Sequence, residues 1–582
     1  MISEDRHPQE FLMTKRIHLI RLAILALSFV LLAALSYYQI FSRSKYVILA
    51  RRNGLRSIRL DAPRGDIYDK KGNPLALNVI MYDVKCYPNI LLQEDNMERI
   101  AAGLTRCGIS LTKEDIDEKL RKQYTTPYSA ITLAKNLTFA HIAEIISDEG
   151  MSSLVFPTRS WKRTYPEGKY TVHVVGYVGE INDRELEKRQ GTIYRGGDMI
   201  GKNGIESVYE EILFGLPGEE LIEVDARGRK VKNVAYNEPT KGQDIFLTID
   251  LEAQKYAADL LGDFRGAIVA MDVTDGSILV LYSSPSYDPN SLTWGITQKD
   301  WLAMSDQIER PMMNRAISGA YPPASTFKAI VGSALLEKNI ANAYSQVYCP
   351  GYYELGGTKF KCWKHSGHGT ENIYKALADS CDVYFYTLAN RAGINNITNV
   401  ATQFGVGEKT GVDLTSESAG TLPTPKWKKR RIKESWYGGD TVNLSIGQGY
   451  VLMTPLQLLR AYAAIANGGN LLTPYIKQGE AKPPKPLAIS QATLSIIRKG
   501  LHAVTHGGTG TRASAFGVDV SGKTGTAQNS QGSDHAWFVG FAPSDQPKYA
   551  VVAIAEAGEH GSSVTGPIVG KVLSFLLTGK KH

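Results

Sequence analysis

From Leu22 to Phe41 the chain reads LAILALSFVLLAALSYYQIF, an apolar run without a charged residue. Its ~20 residues match the length a helix needs to cross ~30 Å of hydrocarbon. No polar face recurs at helical spacing, so the pattern predicts a membrane span rather than a buried core helix. Lys15, Arg16 and Arg21 precede the run, and Tyr37 and Tyr38 stand where an aromatic belt would meet the opposite headgroups. This favours an N-in, C-out anchor at 22–41 behind a short cytoplasmic tail at 1–21. Arg43, Lys45, Arg51 and Arg52 follow the span and weaken the charge asymmetry, so the orientation also leans on the chemistry downstream. A cleaved signal peptide fits less well, because the run exceeds an ordinary h-region and Ala33-Ala34-Leu35 is a poor small-x-small site.

Beyond the anchor the periodicity changes. Residues 46–240 mix short β-like runs and turn signals, such as Arg64-Gly65-Asp66 leading to Asp69-Lys70-Lys71-Gly72-Asn73, with amphipathic helical stretches near 94–148. They read as an elongated α+β module. Gly201-Lys202-Asn203-Gly204-Ile205-Glu206 opens a helical pattern that Gly215-Leu216-Pro217-Gly218 breaks, and nothing in it suggests catalysis. A turn-rich stretch at 237–242 precedes a strand-like alternation at 245–249 and a helix from about Asp250, which sets a domain boundary near 240. In the second domain, 241–582, the apolar runs 266–273 and 278–282 flank Thr274-Asp275-Gly276 and predict a β-hairpin. The fold class is therefore α+β.

Composition narrows the function. With 582 residues, 43% hydrophobic and 21% charged, the chain has the apolar content for two cores. The net charge of +8 is modest for the length and the cations are scattered, which argues against nucleic-acid binding. The basic run 426–431 reads as a solvated face, with contact to anionic wall polymer as the alternative. Five cysteines do not make a disulfide scaffold. Three of them share a pattern C-x12-C-x5-H-x12-C through Cys349, Cys362, His368 and Cys381. A Cys3His set is a closed tetrahedral zinc site, and thiolates favour zinc over hard cations. One disulfide with a free thiol, or His365 as the imidazole, fits the same residues.

The candidate chemistry begins at Ser325-Thr326-Phe327-Lys328, between Pro322-Pro323 and the apolar run 329–336. The prolines place Ser325 at a helix start, and Lys328 one turn later can reach its hydroxyl as a base if burial lowers the amine pKa. Ser-x-x-Lys alone is weak: Ser42 with Lys45 and Ser110 with Lys113 also match, about the number chance allows. Neither of those has a proline-stopped apolar helix. Ser380-Cys381-Asp382, before an aromatic helix, offers a hydroxyl and a carboxylate suited to relaying protons. Lys523-Thr524-Gly525-Thr526 supplies an edge-strand cation, hydroxyls, and a glycine where a substrate can approach the backbone. A second Lys-Thr-Gly at 409–411 sits in a loop-like stretch, so the strand-borne copy at 523 is preferred.

In order, these three motifs resemble the penicillin-recognising serine acyltransferases. Pro63-Arg64-Gly65-Asp66, Tyr165-Pro166 through Gly176-Tyr177-Val178-Gly179, Tyr321-Pro322-Pro323, Gly447-Gln448-Gly449 and His535-Ala536-Trp537-Phe538 extend the likeness over most of the chain. They resemble class B penicillin-binding proteins, most of all the elongation-specific penicillin-binding protein 2 subgroup. Asp382 stands where many relatives have Asn, and is similar to that subgroup.

The resemblance implies a pedestal (dimerisation-type) domain at 46–240 and a β-lactamase-like transpeptidase domain with an antiparallel sheet flanked by helices at 241–582. It implies Ser325 as the acylated nucleophile, Lys328 as base, and Ser380 and Asp382 as proton relays. Lys523 and Thr524 would hold the donor carboxylate beside Gly525, and the backbone N–H groups of Ser325 and Thr526 would face the oxyanion. Some members place metal ligands at positions equivalent to the cysteine set, which implies structural zinc. Implied partners are peptidoglycan stem peptides, β-lactams, a SEDS-type glycan polymerase and elongation-complex membrane proteins, at the inner membrane with the bulk of the chain outside the cytoplasm. A D,D-carboxypeptidase or a β-lactam sensor on the same fold is the competing expectation.

Overall fold

The computed structural model describes residues 8–45, 55–93, 95–124, 130–224, 230–529 and 532–582. The apolar run folds as the helix Pro8–Ser36, continued by a π-helical turn at Tyr37–Phe41, and its side chains are exposed along the whole apolar length. A helix covered with Leu, Ile, Phe and Val and buried against nothing among the described residues is what a bilayer would cover. Arg51, Arg52 and the start of the expected pedestal at 46 lie outside the described residues.

The chain packs as two units. One takes residues 1–61, 82–158 and 217–240, the other 62–81, 159–216 and 241–582. In the first unit, residues 82–86 pair antiparallel with Ile131–Leu137 against the helices Asn96–Arg106, Lys113–Gln123 and Phe139–Ser147. The strand Ile131–Leu137 interrupts the stretch near 94–148 that reads as helical. Its Ile131, Leu133 and Leu137 are buried on one face while Lys135 of that same face is exposed, so the alternation is broken and does not stand out between amphipathic helices. Leu55–Leu60, Gly218–Val224 and Lys230–Asn237 form a separate antiparallel sheet with Gly218–Val224 in the middle.

In the second unit, labelled from its helix α1 (Leu251–Leu261), the expected hairpin forms from β1 (Gly266–Asp272) and β2 (Ile278–Ser284). Asp250 caps α1 by accepting from the N–H groups of Glu252 and Ala253. The helices α2 (Lys328–Glu337), α3 (Asp382–Ala392), α4 (Pro455–Ala466) and α5 (Gln491–Thr505) follow. The strands β3 (Ser521–Ala527), β4 (His535–Ala542) and β5 (Tyr549–Ala555), then helix α6 (Thr565–Thr578), complete the unit. The antiparallel sheet has the order β2-β1-β5-β4-β3, so the last strand in the chain pairs with the first and β3 lies at an edge.

Both faces of this sheet are covered, which is why its strands read as continuous apolar runs. Val269, Val539, Phe541, Val552 and Ile554 point into one core, while Ile268, Ala270, Phe538, Val551 and Ala553 point into a second core shared with α1 and α6. A rigid sheet packed on two sides fixes β3 and the segment leading into α2 against each other. That segment is the 3-10 turn Ala324–Phe327, and it packs on β3.

Candidate active site

Ser325 lies half-buried in the 3-10 turn that runs directly into α2, one turn before Lys328. The turn is held from outside. Ala324 has a left-handed backbone (φ 49°) and donates its N–H to Gly447 O at 2.9 Å. A Cβ on Gly447, itself at φ 71°, would lie 2.2 Å from Ala324 O, so only glycine fits against the residue before Ser325. The Tyr462 hydroxyl donates to Thr326 O at 2.7 Å from α4.

The Lys328 ammonium is fully buried and uses all three of its donors. It reaches Asp382 Oδ1 at 2.6 Å, Ser380 O at 2.8 Å and Ser380 Oγ at 3.2 Å. Ser380 is also left-handed (φ 53°), which turns both its carbonyl and its hydroxyl toward Lys328. The Cys381 N–H bond to Ala376 O at 2.9 Å holds that turn. The first and second motifs thus meet around one amine.

The third motif lies on β3, with Thr524 opposite Phe538, Gly525 opposite Trp537 and Thr526 opposite Ala536 on β4. A Cβ on Gly525 would lie 3.1 Å from the Thr326 methyl and 3.2 Å from Pro323 O, so the glycine lets the strand close on the serine turn. Lys523 is fully buried, and its Nζ meets neutral oxygens, Thr524 O at 3.3 Å and Thr524 Oγ1 at 3.4 Å. Burial drives its pKa well below the usual lysine range, the Lys328 cation pushes the same way, and Asp382 only partly opposes them. Two buried lysines therefore lie near one carboxylate, which is bonded to Lys328. Thr524 Oγ1 is in turn bonded to Thr509 Oγ1 at 3.0 Å, a contact the sequence gives no sign of.

The competing matches fall elsewhere. Lys113 pairs with Glu98 at 2.7 Å on an exposed helix, and Ser42 and Lys45 follow the apolar helix. Thr410 of the second Lys-Thr-Gly is tied to Glu417 in a loop. Of the basic run, Lys428 is buried against Asp440 at 2.8 Å while Lys426, Lys429, Arg430 and Arg431 face solvent.

Cys349, Cys362, His368 and Cys381 converge with their ligating atoms within 4.8 Å of one another, and none of the five cysteines is in a disulfide. His368 Nδ1 lies 3.6 Å from Cys349 Sγ and 3.5 Å from Cys362 Sγ. A tetrahedral ion with ~2.3 Å Zn–S and ~2.05 Å Zn–N bonds sets that edge at about 3.5 Å, so the donors fit a zinc-sized centre. His365 is exposed, outside the group. The hydrogen bond that Cys381 donates brings the Cys362 thiol down to about 5, while that same pairing and burial push the Cys381 thiol up.

Two features escaped sequence reading. Trp363, next to Cys362, donates its backbone N–H to Asp382 Oδ2 at 2.9 Å and its indole N–H to Asp379 O at 3.0 Å. Arg64, read from the sequence as part of a turn and of a family motif but with no partner assigned, is buried with Glu206 at 2.6 Å and Glu210 at 2.7 Å, and Arg163 reaches Glu206 at 2.7 Å. Burial alone would raise the Glu206 pKa, and the Arg163 and Arg64 guanidiniums overcome it and hold the carboxyl below its ordinary value.

The penicillin binding protein transpeptidase domain matches residues 266–574, and the penicillin-binding protein dimerisation domain matches 59–247. The chain is 37% identical to the peptidoglycan D,D-transpeptidase MrdA of Acinetobacter baumannii, over 95% of this chain and 86% of that one. Its fold matches the penicillin-binding protein PBP2 of Helicobacter pylori, solved in complex with MreC, with a TM-score of 0.82 at 32% identity over 90% of this chain and 99% of that one. A peptidoglycan synthase complex in which polymerization and crosslinking are coordinated matches with a TM-score of 0.73 at 28% identity, over 98% of this chain and 99% of the other. With a serine turn, two buried lysines and an edge strand assembled in one domain of this extent, the chain belongs to the penicillin-binding protein family of transpeptidases.

Proposed function

We propose that the chain is a membrane-anchored peptidoglycan D,D-transpeptidase of cell-wall elongation that cross-links stem peptides through an acyl-enzyme on Ser325. The observation that carries the site assignment is the Lys328 amine, buried between Asp382 at 2.6 Å and Ser380 Oγ at 3.2 Å, one turn from Ser325. Ammonium–carboxylate and amine–carboxylic acid forms of the Lys328–Asp382 pair differ by one proton moved along that short bond. In the amine form Lys328 takes the proton of Ser325 as Oγ attacks the carbonyl carbon of the penultimate D-alanine. The backbone N–H groups of Ser325 and Thr526 face the oxyanion.

The C–N bond then breaks, and a proton passed through Ser380 leaves with the terminal D-alanine amine. The amine of a neighbouring stem attacks the ester, gives up a proton along the same path, and restores the Ser325 hydroxyl. Lys523 and Thr524 hold the donor carboxylate by charge-assisted hydrogen bonds, and β3, as an edge strand, can receive an extended peptide. β-Lactams enter at the first step. Fluorescent-penicillin labelling tests the assignment: Ser325→Ala should abolish it, and labelling that persists there but vanishes on changing Ser42 or Ser110 overturns it.

The Cys349, Cys362, His368 and Cys381 cage fits structural zinc. A closed four-ligand ion supplies no step of the transfer; the cage residues hold Ser380 and Asp382 from behind. We place the span in the inner membrane with the bulk of the chain on the periplasmic side, where the substrate is. Residues 46–240 serve as a pedestal that meets a SEDS-type glycan polymerase and elongation-complex membrane proteins. The MreC and synthase complexes of the relatives support that reading.

A further inference from the structure

Outside the site, His502 and His506 lie one turn apart at the end of α5, their rings stacked with centroids 3.8 Å apart and planes 12° apart. Asp519, just before β3, places one oxygen, Oδ1, 3.3 Å from His502 Nε2 and 3.2 Å from His506 Nε2. The three ligating atoms lie within 4.8 Å of one another. All three side chains are open to solvent, so an ion has an entry path.

The hydrogen bonds fix what His506 offers. Its Nδ1 lies 3.0 Å from His502 O and 3.0 Å from Thr505 Oγ1. The single Thr505 hydroxyl proton faces the carbonyls of His502 and Val520, so toward His506 the threonine oxygen accepts. With acceptors on its Nδ1 side, His506 carries its proton there. The Nε2 of His506 is then the ring atom that faces the Asp519 carboxylate, beside the Nε2 of His502 on the same oxygen. One divalent ion satisfies both Nε2 atoms and the carboxylate at once.

We propose that His502, His506 and Asp519 form a surface site for a divalent transition metal of the zinc class. Imidazole with carboxylate selects such ions over magnesium and calcium. The Nδ1–H bond of His506 to the backbone is the outer contact that orients a metal-bound histidine. An ion there ties the end of α5 to the entry of β3, where Asp519 stands two residues before Ser521 and four before Lys523 on the strand that carries the third motif.

The test uses the full-length detergent-solubilised protein, titrated with zinc against a chromophoric indicator. Wild type should take up one zinc more per chain than His502→Gln/His506→Gln, and Asp519→Asn should weaken that zinc at least tenfold. A zinc-dependent rise in Tm should be smaller in the variants. The three residues lie outside the acylation machinery, so retained fluorescent-penicillin labelling certifies the fold of each variant. With cobalt, the wild-type-minus-variant spectrum should carry d–d absorption without a sulfur-to-cobalt charge-transfer band, which separates this site from the cysteine cage. Equal zinc uptake by wild type and variants, or a difference spectrum carrying the sulfur band, overturns the proposal.

Discussion

The backbone N–H of Trp363 donates to Asp382 Oδ2 at 2.9 Å, while the other oxygen of that carboxylate accepts from Lys328 at 2.6 Å. Asp382 is thus aimed from one side by the residue after Cys362 and attached on the other to Cys381. An asparagine could keep either contact but could not take the proton of Lys328. Asp382→Asn should slow acylation by a fluorescent penicillin by about 10²-fold, within the range for a lost proton-transfer group, and lower Tm, because the buried Lys328 loses its anion. Unchanged acylation would remove Asp382 from the proton path.

The same geometry couples the cage to the site. Stripping metal from the cage, or replacing His368 with Ala, should lower Tm and slow acylation together, because Trp363 and Cys381 both lose their anchor. Elemental analysis of protein purified without chelator checks the occupant, and re-addition of zinc should restore acylation to the stripped wild type but not to a Cys381→Ser variant. Full acylation by metal-stripped protein would separate the cage from the site.

The serine, lysine and edge-strand motifs are legible in the sequence because each acts within one turn or one strand, where spacing alone sets geometry. The hairpin 266–284 is legible for the same reason. What is not legible depends on long closures. Nothing local announces that Trp363 meets Asp382, that Thr509 meets Thr524, or that Arg64 finds its carboxylates at Glu206 and Glu210. No motif singles out His502 and His506, and Asp519 joins them only where β3 packs on α5.

His173 supplies a pH test of the second unit. It is buried with Nε2 lacking a partner among the described residues, and burial, with the Arg315 cation adding to it, lowers its pKa to about 4. Between the ordinary histidine value and about 4, the unfolded chain binds a proton that the native state does not, so stability falls as pH drops through that window. The shift corresponds to about 3 kcal/mol. A His173→Gln variant should lose less stability than wild type between neutral pH and the acid end of the window, measured by thermal unfolding. Parallel curves would show the ring already protonated in the native state.

Lys523 makes the last prediction, on ligand capture. Its amine is buried beside Lys328, with the single Asp382 carboxylate already bonded to Lys328, and its pKa lies well below the usual lysine range. The carboxylate of a stem peptide or penicillin brings the missing anion and favours the ammonium form, so binding raises the pKa and draws in a proton. Acylation should therefore slow as pH rises through the depressed pKa, and reaction heats in buffers of different ionisation enthalpy should reveal net proton uptake. The ring-opening step moves the Ser325 proton to the lactam nitrogen and adds none. Stability runs the opposite way: above the depressed pKa and below the ordinary one, the unfolded chain holds the extra proton, so native stability gains with pH. Lys523→Met should lose the proton uptake and that alkaline increment together, and its acylation should fall by about 10²-fold or more, as for loss of a buried charge partner of a bound anion. Proton release on acylation, or an alkaline stability increment unchanged in Lys523→Met, would show that Lys523 is charged before the ligand arrives.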